Sequence, residues 1–247
     1  MGSLSGRRIM VTSGGTREYI DEVRVVTNVS TGALGAIIAQ ELLKRGANVF
    51  YVHGKQAHMP NYDKLFDNER NLLSCHGIVT VKDLMETMHT LIDSFGIDSV
   101  VHLAAVSDFT FKNTKGIKLS SSSKEDFIEF LGKTIRTTPK IIKKIKKWNP
   151  DITLVGFKFT VGKNMREICD IACDSLKKNG ADLVVANDKK EMSRLGEHRA
   201  YLINSTDTTY IYHTIVKESV ELTGSIFTRN GKEDIASGIA DFLGGNF

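Results

Sequence analysis

The sequence predicts a doubly wound α/β domain. Apolar runs of strand length alternate with stretches of helical spacing along most of the chain. The first of these runs ends in a glycine-rich turn. Near the C-terminus the alternation gives way to two short β-rich runs flanking turn residues. Together these observations imply a mostly parallel, Rossmann-like sheet with a C-terminal β-hairpin addition. The 247 residues are enough for one well-buried domain.

Residues 7–12, RRIMVT, form a strand that stops at Ser13-Gly14-Gly15. Residues 31–45 repeat apolar side chains at three and four (Leu34, Ile37, Ile38, Leu42), and Gly46 caps the helix. NVFYVHG (48–54) is the next strand, so the first two strands form a right-handed, parallel βαβ unit. The polar stretch 55–77, with Pro60 and several Asn, is read as a surface loop. IVTV (78–81) is expected as a third strand, and 82–95 as a helix closed by Gly96. The nearly all-apolar 98–108 suits a central strand. Residues 109–126 hold four consecutive serines and four lysines and are expected to form a flexible loop or lid. Helix 138–148, strand 152–159, helix 165–180 and strand 181–188 follow. AYLIN (200–204) and TYIYH (209–213) flank STDT as a hairpin, and 233–243 closes as a helix. Residues 1–6 are read as a cloning remnant or frayed end, and 7–247 as a single domain.

The 33 basic and 29 acidic residues leave a net charge of +4, which suits small anionic substrates without demanding a polyanion. The basic run 140–147 has no interleaved aromatic platform and reads as the solvated face of a helix, so no nucleic-acid partner is expected. No apolar run reaches membrane-spanning length, so no membrane association is expected either. Three cysteines (Cys75, Cys169 and Cys173) are too few for a disulfide framework and point to a reducing, cytoplasmic setting. Cys169 and Cys173 share a helix face but lack a third ligand, so packing is their expected role and no protein metal site is expected.

Ligands of such folds bind beyond the carboxyl ends of the strands. That draws attention to Ser13–Thr16, Ala104–Asp108, Phe157 and Asn187. Gly14, Gly15, Ser30, Gly32 and Gly35 are read as a split phosphate cradle, with Ser30 or Thr31 capping the following helix. The same glycines also suit a tight turn and close packing of helix on strand. Asn28, just before the cradle, is a turn residue or an oxyanion donor, and Arg24 is a solvated residue or a fork for a carboxylate or phosphate. Lys115 and Lys118 belong to a flexible charged loop or to a lid over a polyphosphate. An NAD(P)-dependent short-chain reductase is the rival reading. The glycine spacing is not G-x-G-x-x-G, however, and the second strand ends without an acid to hold a ribose. A non-catalytic nucleotide-binding protein is a further alternative.

TSGGTRE (12–18), VRVVTNVSTGALG (23–35), HLAAVSDF (102–109), KLSS (118–121), NPDITLVGFK (149–158) and ADLVVAND (181–188) occur in that order along nearly the whole chain. In this the chain resembles the phosphopantothenoylcysteine synthetases in their free-standing bacterial form. The resemblance implies a ligase of coenzyme A biosynthesis that joins 4′-phosphopantothenate to L-cysteine through an acyl nucleotidylate, with a nucleoside triphosphate and Mg²⁺, as a homodimer. It implies that Gly14, Ser30, Gly32 and Gly35 hold the triphosphate, and that Phe157 and Asn187 contact the nucleoside. Asp108 and the backbone at Ala104–Ala105 would bind substrate or nucleotide. Asn28 would hold the acyl intermediate's carbonyl, Arg24 would assist the second half-reaction, and Lys118 would stabilise the transferring phosphoryl group. Where one bacterial pattern has lysines before the V-A-N-D strand, this chain has Ser175 and Asn179. CTP is the expected triphosphate, with ATP open.

Overall fold

The computed structural model describes residues 2–112, 114, 116–120, 123–204 and 226–245. In chain order the elements are β1 (Arg8–Ser13), β2 (Arg17–Tyr19), β3 (Val25–Thr27), α1 (Ala33–Lys44), β4 (Asn48–Gly54), α2 (Asp67–Arg70), β5 (Leu73–Ile78), α3 (Val81–Phe95), β6 (Ser99–His102) and β7 (Phe109–Phe111). They continue as α4 (Lys124–Thr134), β8 (Ile135–Thr137), α5 (Ile142–Trp148), β9 (Thr153–Thr160), α6 (Met165–Asn179), β10 (Leu183–Asp188), α7 (Lys189–Leu195), β11 (Arg199–Asn204), β12 (Ile226–Asn230) and α8 (Lys232–Leu243). Among these, the main sheet runs β12-β11-β10-β9-β6-β1-β4-β5. The six strands from β10 to β5 are parallel, and β11 and β12 add on antiparallel. The chain winds from β1 outward to β5, then returns to lay β6 on the other side of β1. That reversal opens a crevice at the carboxyl ends of β1 and β6.

Both faces of the sheet are covered. Met10, Val100, Leu154 and Val184 pack under α3, α5 and α6. Val11, Val101, Val155 and Val185 pack under α1 and α8. Neighbouring residues of one strand thus enter opposite cores, which is why these strands read as unbroken apolar runs. Within residues 1–6, expected as a cloning remnant or frayed end, Leu4 instead enters the core under α1 at 1% exposure, and its N–H donates to the Arg45 carbonyl (3.0 Å). Among the described residues no helix is long and apolar enough to cross a membrane.

Several expectations need correction. The third strand is 73–78, not 78–81. As an edge strand it exposes Ser74, Cys75 and Gly77 and so shows no apolar run, while Thr80 caps α3 in a reciprocal box with Asp83. The expected loop 55–77 therefore holds α2 and a paired strand. The central strand ends at His102 rather than at 108. The expected loop 109–126 opens with β7, which pairs with β8, and its last residues begin α4. At the C-terminus β11 lies between β10 and β12, whereas the expected second hairpin arm, 209–213, and the turn before it lie outside the described residues. A short hairpin, β2–β3, was not anticipated.

Candidate active site

The loops after β1 and β6 are knitted together by backbone and hydroxyl groups. Gly15 and Ala105 form an isolated parallel bridge. The Ala105 N–H donates to the Gly14 carbonyl (2.8 Å), and the Thr16 N–H donates to the Ala105 carbonyl (3.2 Å). Buried Thr16 accepts the Ser107 N–H on its hydroxyl (2.9 Å). Thr12 accepts the N–H groups of both Leu103 and Ala104 (3.1 Å each). The expected juxtaposition of Ser13–Thr16 with Ala104–Asp108 is present. The N–H groups of Ala104 and Ala105 are nevertheless spent inside the protein, so this backbone cannot offer them to an anion.

The glycines answer first to packing. Gly14 and Gly32 have φ of +77° and +70°, and a Cβ on either would meet the Ala57 Cβ at 2.7 and 2.8 Å. A Cβ on Gly35 would lie 2.3 Å from the Ser13 Oγ, and one on Gly15 would lie 2.8 Å from the Asn28 carbonyl oxygen. The cap expected of Ser30 or Thr31 is replaced by Gly32, with no side-chain cap bond. The Thr31 hydroxyl receives a long bond from the Ala33 N–H (3.4 Å), and the Thr31 carbonyl accepts the His58 N–H (2.9 Å). What an anion meets there is an uncapped α1 N-terminus, and the favourable partial charge of that end remains available.

Two cavities flank this knot on opposite sides of the sheet edge. One, of about 410 Å³, is lined by Ser30, Gly32, Gly35, Ala105, Phe157 and Asn187, among others. The other, of about 540 Å³, is lined by His102, Val106, Asp108, Phe157, Ser175 and Asn179, among others. Leu103, Ala104, Phe157 and Lys158 line both. A third cavity, of about 600 Å³, lies between the β2–β3 hairpin and the start of α3, and none of the expected site residues lines it.

The structure therefore brings Ser30, Gly32, Gly35, Ala104, Ala105, Phe157 and Asn187 together, and joins Asp108 to them across the shared wall. Gly14 and Gly15 are not among the residues lining either cavity and pack against Ala57 and Asn28. Asn28 is exposed and donates its side-chain N–H to the Val106 carbonyl (3.1 Å). Arg24 is already engaged with a carboxylate of its own chain: it binds Asp21 at 2.7 Å and the Leu119 carbonyl at 3.2 Å. Fully buried Asp21 also accepts the N–H groups of Val23, Arg24 and Leu119. Burial pushes its carboxyl up, but those donors and the Arg24 charge together hold it below the usual carboxylate range. Lys118 is exposed, on a segment pinned by the Leu119–Asp21 bond and by the Glu22 N–H donating to the Ile117 carbonyl (2.9 Å).

Asp108 pairs with Lys140 at 2.5 Å on the exposed rim. Asn187 donates to the Met192 sulfur (3.4 Å), while Asp188 beside it caps α7 and receives Thr160 and the Lys163 N–H. Burial opposes the Asp188 charge, yet these donors hold its carboxyl far below the usual range. Sequence reasoning missed His102, Lys158, His198 and Lys232 as lining residues. Lys158 was legible, one residue after Phe157. His198 follows Gly196-Glu197 and Lys232 sits between Gly231 and Glu233, but neither stretch follows a predicted parallel strand, so the sequence did not direct attention to them. Cys169 is buried in the α6 packing face, with its thiol pushed up to about 12 by burial. Among the described residues no group of three or more His, Cys, Asp or Glu side chains is placed to hold a metal ion.

The sequence pattern of the DNA/pantothenate metabolism flavoprotein C-terminal domain family matches residues 4–227. The coenzyme A biosynthesis bifunctional protein CoaBC of Thermococcus kodakarensis is 37% identical over 188 residues, 76% of this chain and 43% of that protein. Its Bacillus subtilis counterpart is 29% identical over 187 residues, 76% and 41% of the two. The chain thus spans less than half the length of these curated relatives. A solved DNA/pantothenate metabolism flavoprotein from Streptococcus pneumoniae superposes with a TM-score of 0.74 at 32% identity, covering 98% of this chain and 100% of that one. A Cab2 variant in complex with phosphopantothenate-cysteine shares the fold, with a TM-score of 0.65 at 16% identity over 96% and 87% of the chains.

Proposed function

Because the chain belongs to the family of the DNA/pantothenate metabolism flavoprotein C-terminal domain, we propose that it is a phosphopantothenate–cysteine ligase. The carboxylate oxygen of 4′-phosphopantothenate attacks the α-phosphorus of a nucleoside triphosphate, and pyrophosphate leaves. The cysteine amine then attacks the acyl carbon, loses a proton, and expels the nucleoside monophosphate. The observation that carries this reading is the convergence of four distant segments on one crevice: the α1 N-terminus, Ala104–Ala105, Phe157 and Asn187. The relatives' names and the product held by the Cab2 structure agree with it.

Positioning and charge neutralisation supply most of the rate in such a reaction. The uncapped α1 end takes phosphate oxygens, and Lys158 adds a charge on the shared wall. Lys118, close by in sequence to the segment pinned to Asp21, approaches the transferring phosphoryl group. Asn28 offers its side-chain N–H to the intermediate's acyl oxygen by exchanging the Val106 carbonyl for it. Arg24 acts in the second half-reaction by holding the Asn28 hairpin through Asp21, its guanidinium being already paired. Mg²⁺ commonly rides on phosphates and keeps several of its own waters, so it would travel with the triphosphate, while Asp108, paired with Lys140 on the rim of the larger cavity, is left to substrate or nucleotide. CTP is the proposed triphosphate, and the working unit is proposed to be a homodimer. The test is pyrophosphate release that requires phosphopantothenate, measured with CTP and with ATP in the presence of Mg²⁺. Release with neither triphosphate would sink the ligase reading.

A further inference from the structure

His102 ends the central strand β6, is 8% exposed, and lines the larger of the two crevice cavities. Its Nδ1 lies 3.0 Å from the Thr12 hydroxyl oxygen on the neighbouring strand. A hydroxyl has one proton to donate and two lone pairs to fill. The Leu103 and Ala104 N–H groups, each 3.1 Å away, fill both lone pairs. The Thr12 proton must therefore go to His102 Nδ1, which is left as an acceptor. In the neutral ring the single proton then sits on Nε2. Burial favours the neutral ring by pushing the imidazole down to about 4. The Nδ1 edge is turned to Thr12, which leaves the Nε2 edge for the cavity. Among the described residues Nε2 has no hydrogen-bond partner.

We propose that His102 is a specificity-determining residue that donates an uncharged Nε2–H hydrogen bond to a neutral acceptor of the nucleoside, its base or its sugar. This rests on the ligase reading and deepens it. The phosphates have their own place at the α1 N-terminus, in the other cavity. Four lysines line the His102 cavity: Lys140 pairs with Asp108 (2.5 Å) and Lys178 with Asp174 (3.0 Å), while Lys143 and Lys158 form no ion pair among the described residues. Lys158 on the shared wall can meet a phosphate from either side, whereas a planar, uncharged group finds the Phe157 ring and the Asn179 amide in the His102 cavity. A fixed, uncharged donor inside such a site discriminates strongly, because a ligand lacking the matching acceptor leaves it unpaired.

The test has two readouts. In the wild-type protein labelled with ¹⁵N-histidine, the His102 ring signals, identified by their loss in His102→Gln, report the Nε2–H tautomer before any ligand is added and shift on addition of CTP. A protonated Nδ1 in the free protein overturns the proposal whether or not the chain is a ligase. In the assay, with whichever of CTP or ATP supports pyrophosphate release, His102→Leu raises the KM for the triphosphate about tenfold and leaves the KM for cysteine in place. His102→Gln, whose amide reaches the Nε2 position, recovers most of that loss, and His102→Asn, which does not reach it, recovers little. Inhibition by tripolyphosphate, which lacks a nucleoside, stays the same in all variants. A 2′-deoxynucleotide, already missing the sugar acceptor, loses nothing further in His102→Leu if the acceptor is the 2′-hydroxyl, and loses the full factor if it is on the base. Equal triphosphate KM values across the variants, or a change in tripolyphosphate inhibition, overturn the proposal while leaving the ligase reading intact. Absence of pyrophosphate release in the wild type overturns that reading instead.

Discussion

At the scale of single residues, the glycine cluster shows how one residue type serves two demands. Gly35 sits so close to Ser13 that a methyl group would overlap its Oγ at 2.3 Å. Gly35→Ala is therefore expected to lower stability by about 1–3 kcal/mol, the usual cost of overpacking, in a denaturant titration without ligand. A stability loss absent without ligand would place the glycine in binding alone. Asn28 makes a different prediction, since its side-chain amide donates to the Val106 carbonyl across the knot. Asn28→Asp is expected to release pyrophosphate but to slow product formation by about 10²–10³, the usual cost of one oxyanion donor. Equal slowing of both half-reactions would remove Asn28 from the second. His102 carries a pH signature as well. Its folded pKa of about 4 lies below the ordinary imidazole value of 6.5, so the unfolded chain binds the proton first as pH falls. The stability it supports is complete above about pH 6.5 and is lost progressively toward pH 4. The loss amounts to roughly 3 kcal/mol at most. His76 and His198 are shifted the same way, so the reading is the difference between wild type and His102→Gln across that window. Parallel melting curves against pH would contradict it.

At the scale of elements, the sequence disclosed helices better than strands. The box between Thr80 and Asp83 and the αL Gly96 bound α3, and Asn164 with Glu167 and Gly180 bound α6. The β-branched Val79-Thr80-Val81 looks like a strand only because a cap residue and the first helical residue share that composition. The edge strand β5 was invisible because half of it faces water, and β6 looked too long because Leu103–Val106 stays apolar after Thr12 has taken over the ladder's N–H groups. The β2–β3 hairpin was hidden because its turn is built by Asp21 rather than by glycine. That aspartate ties the Arg24 tip to Leu119, next to Lys118. In Asp21→Ala, hydrogen exchange at the Leu119 amide should accelerate while amides of β1 and β6 keep their protection. Unchanged exchange at Leu119 would show that the segment is held by other contacts. At the N-terminus, Leu4→Ala should cost about 2–5 kcal/mol, a core penalty that a frayed residue would not show.

At the scale of the whole molecule, the strand order and the winding reversal place the crevice, and they do so through ordinary α/β physics rather than through any one motif. The ligand edge was legible because each candidate segment follows an apolar run. What was not legible is the division of that edge into two cavities sharing the Ala104–Phe157–Lys158 wall, or the spending of the Ala104 and Ala105 N–H groups on Thr12 and Gly14. Such facts depend on register between strands that lie about 90 residues apart. The central claim is that a carboxylate is activated on phosphorus in this crevice before cysteine arrives. It is tested most directly by phosphopantothenate labelled with ¹⁸O in its carboxylate, incubated with triphosphate, Mg²⁺ and cysteine. The account predicts one ¹⁸O in the nucleoside monophosphate and none in pyrophosphate. Unlabelled monophosphate, or label in a released phosphate, would contradict it.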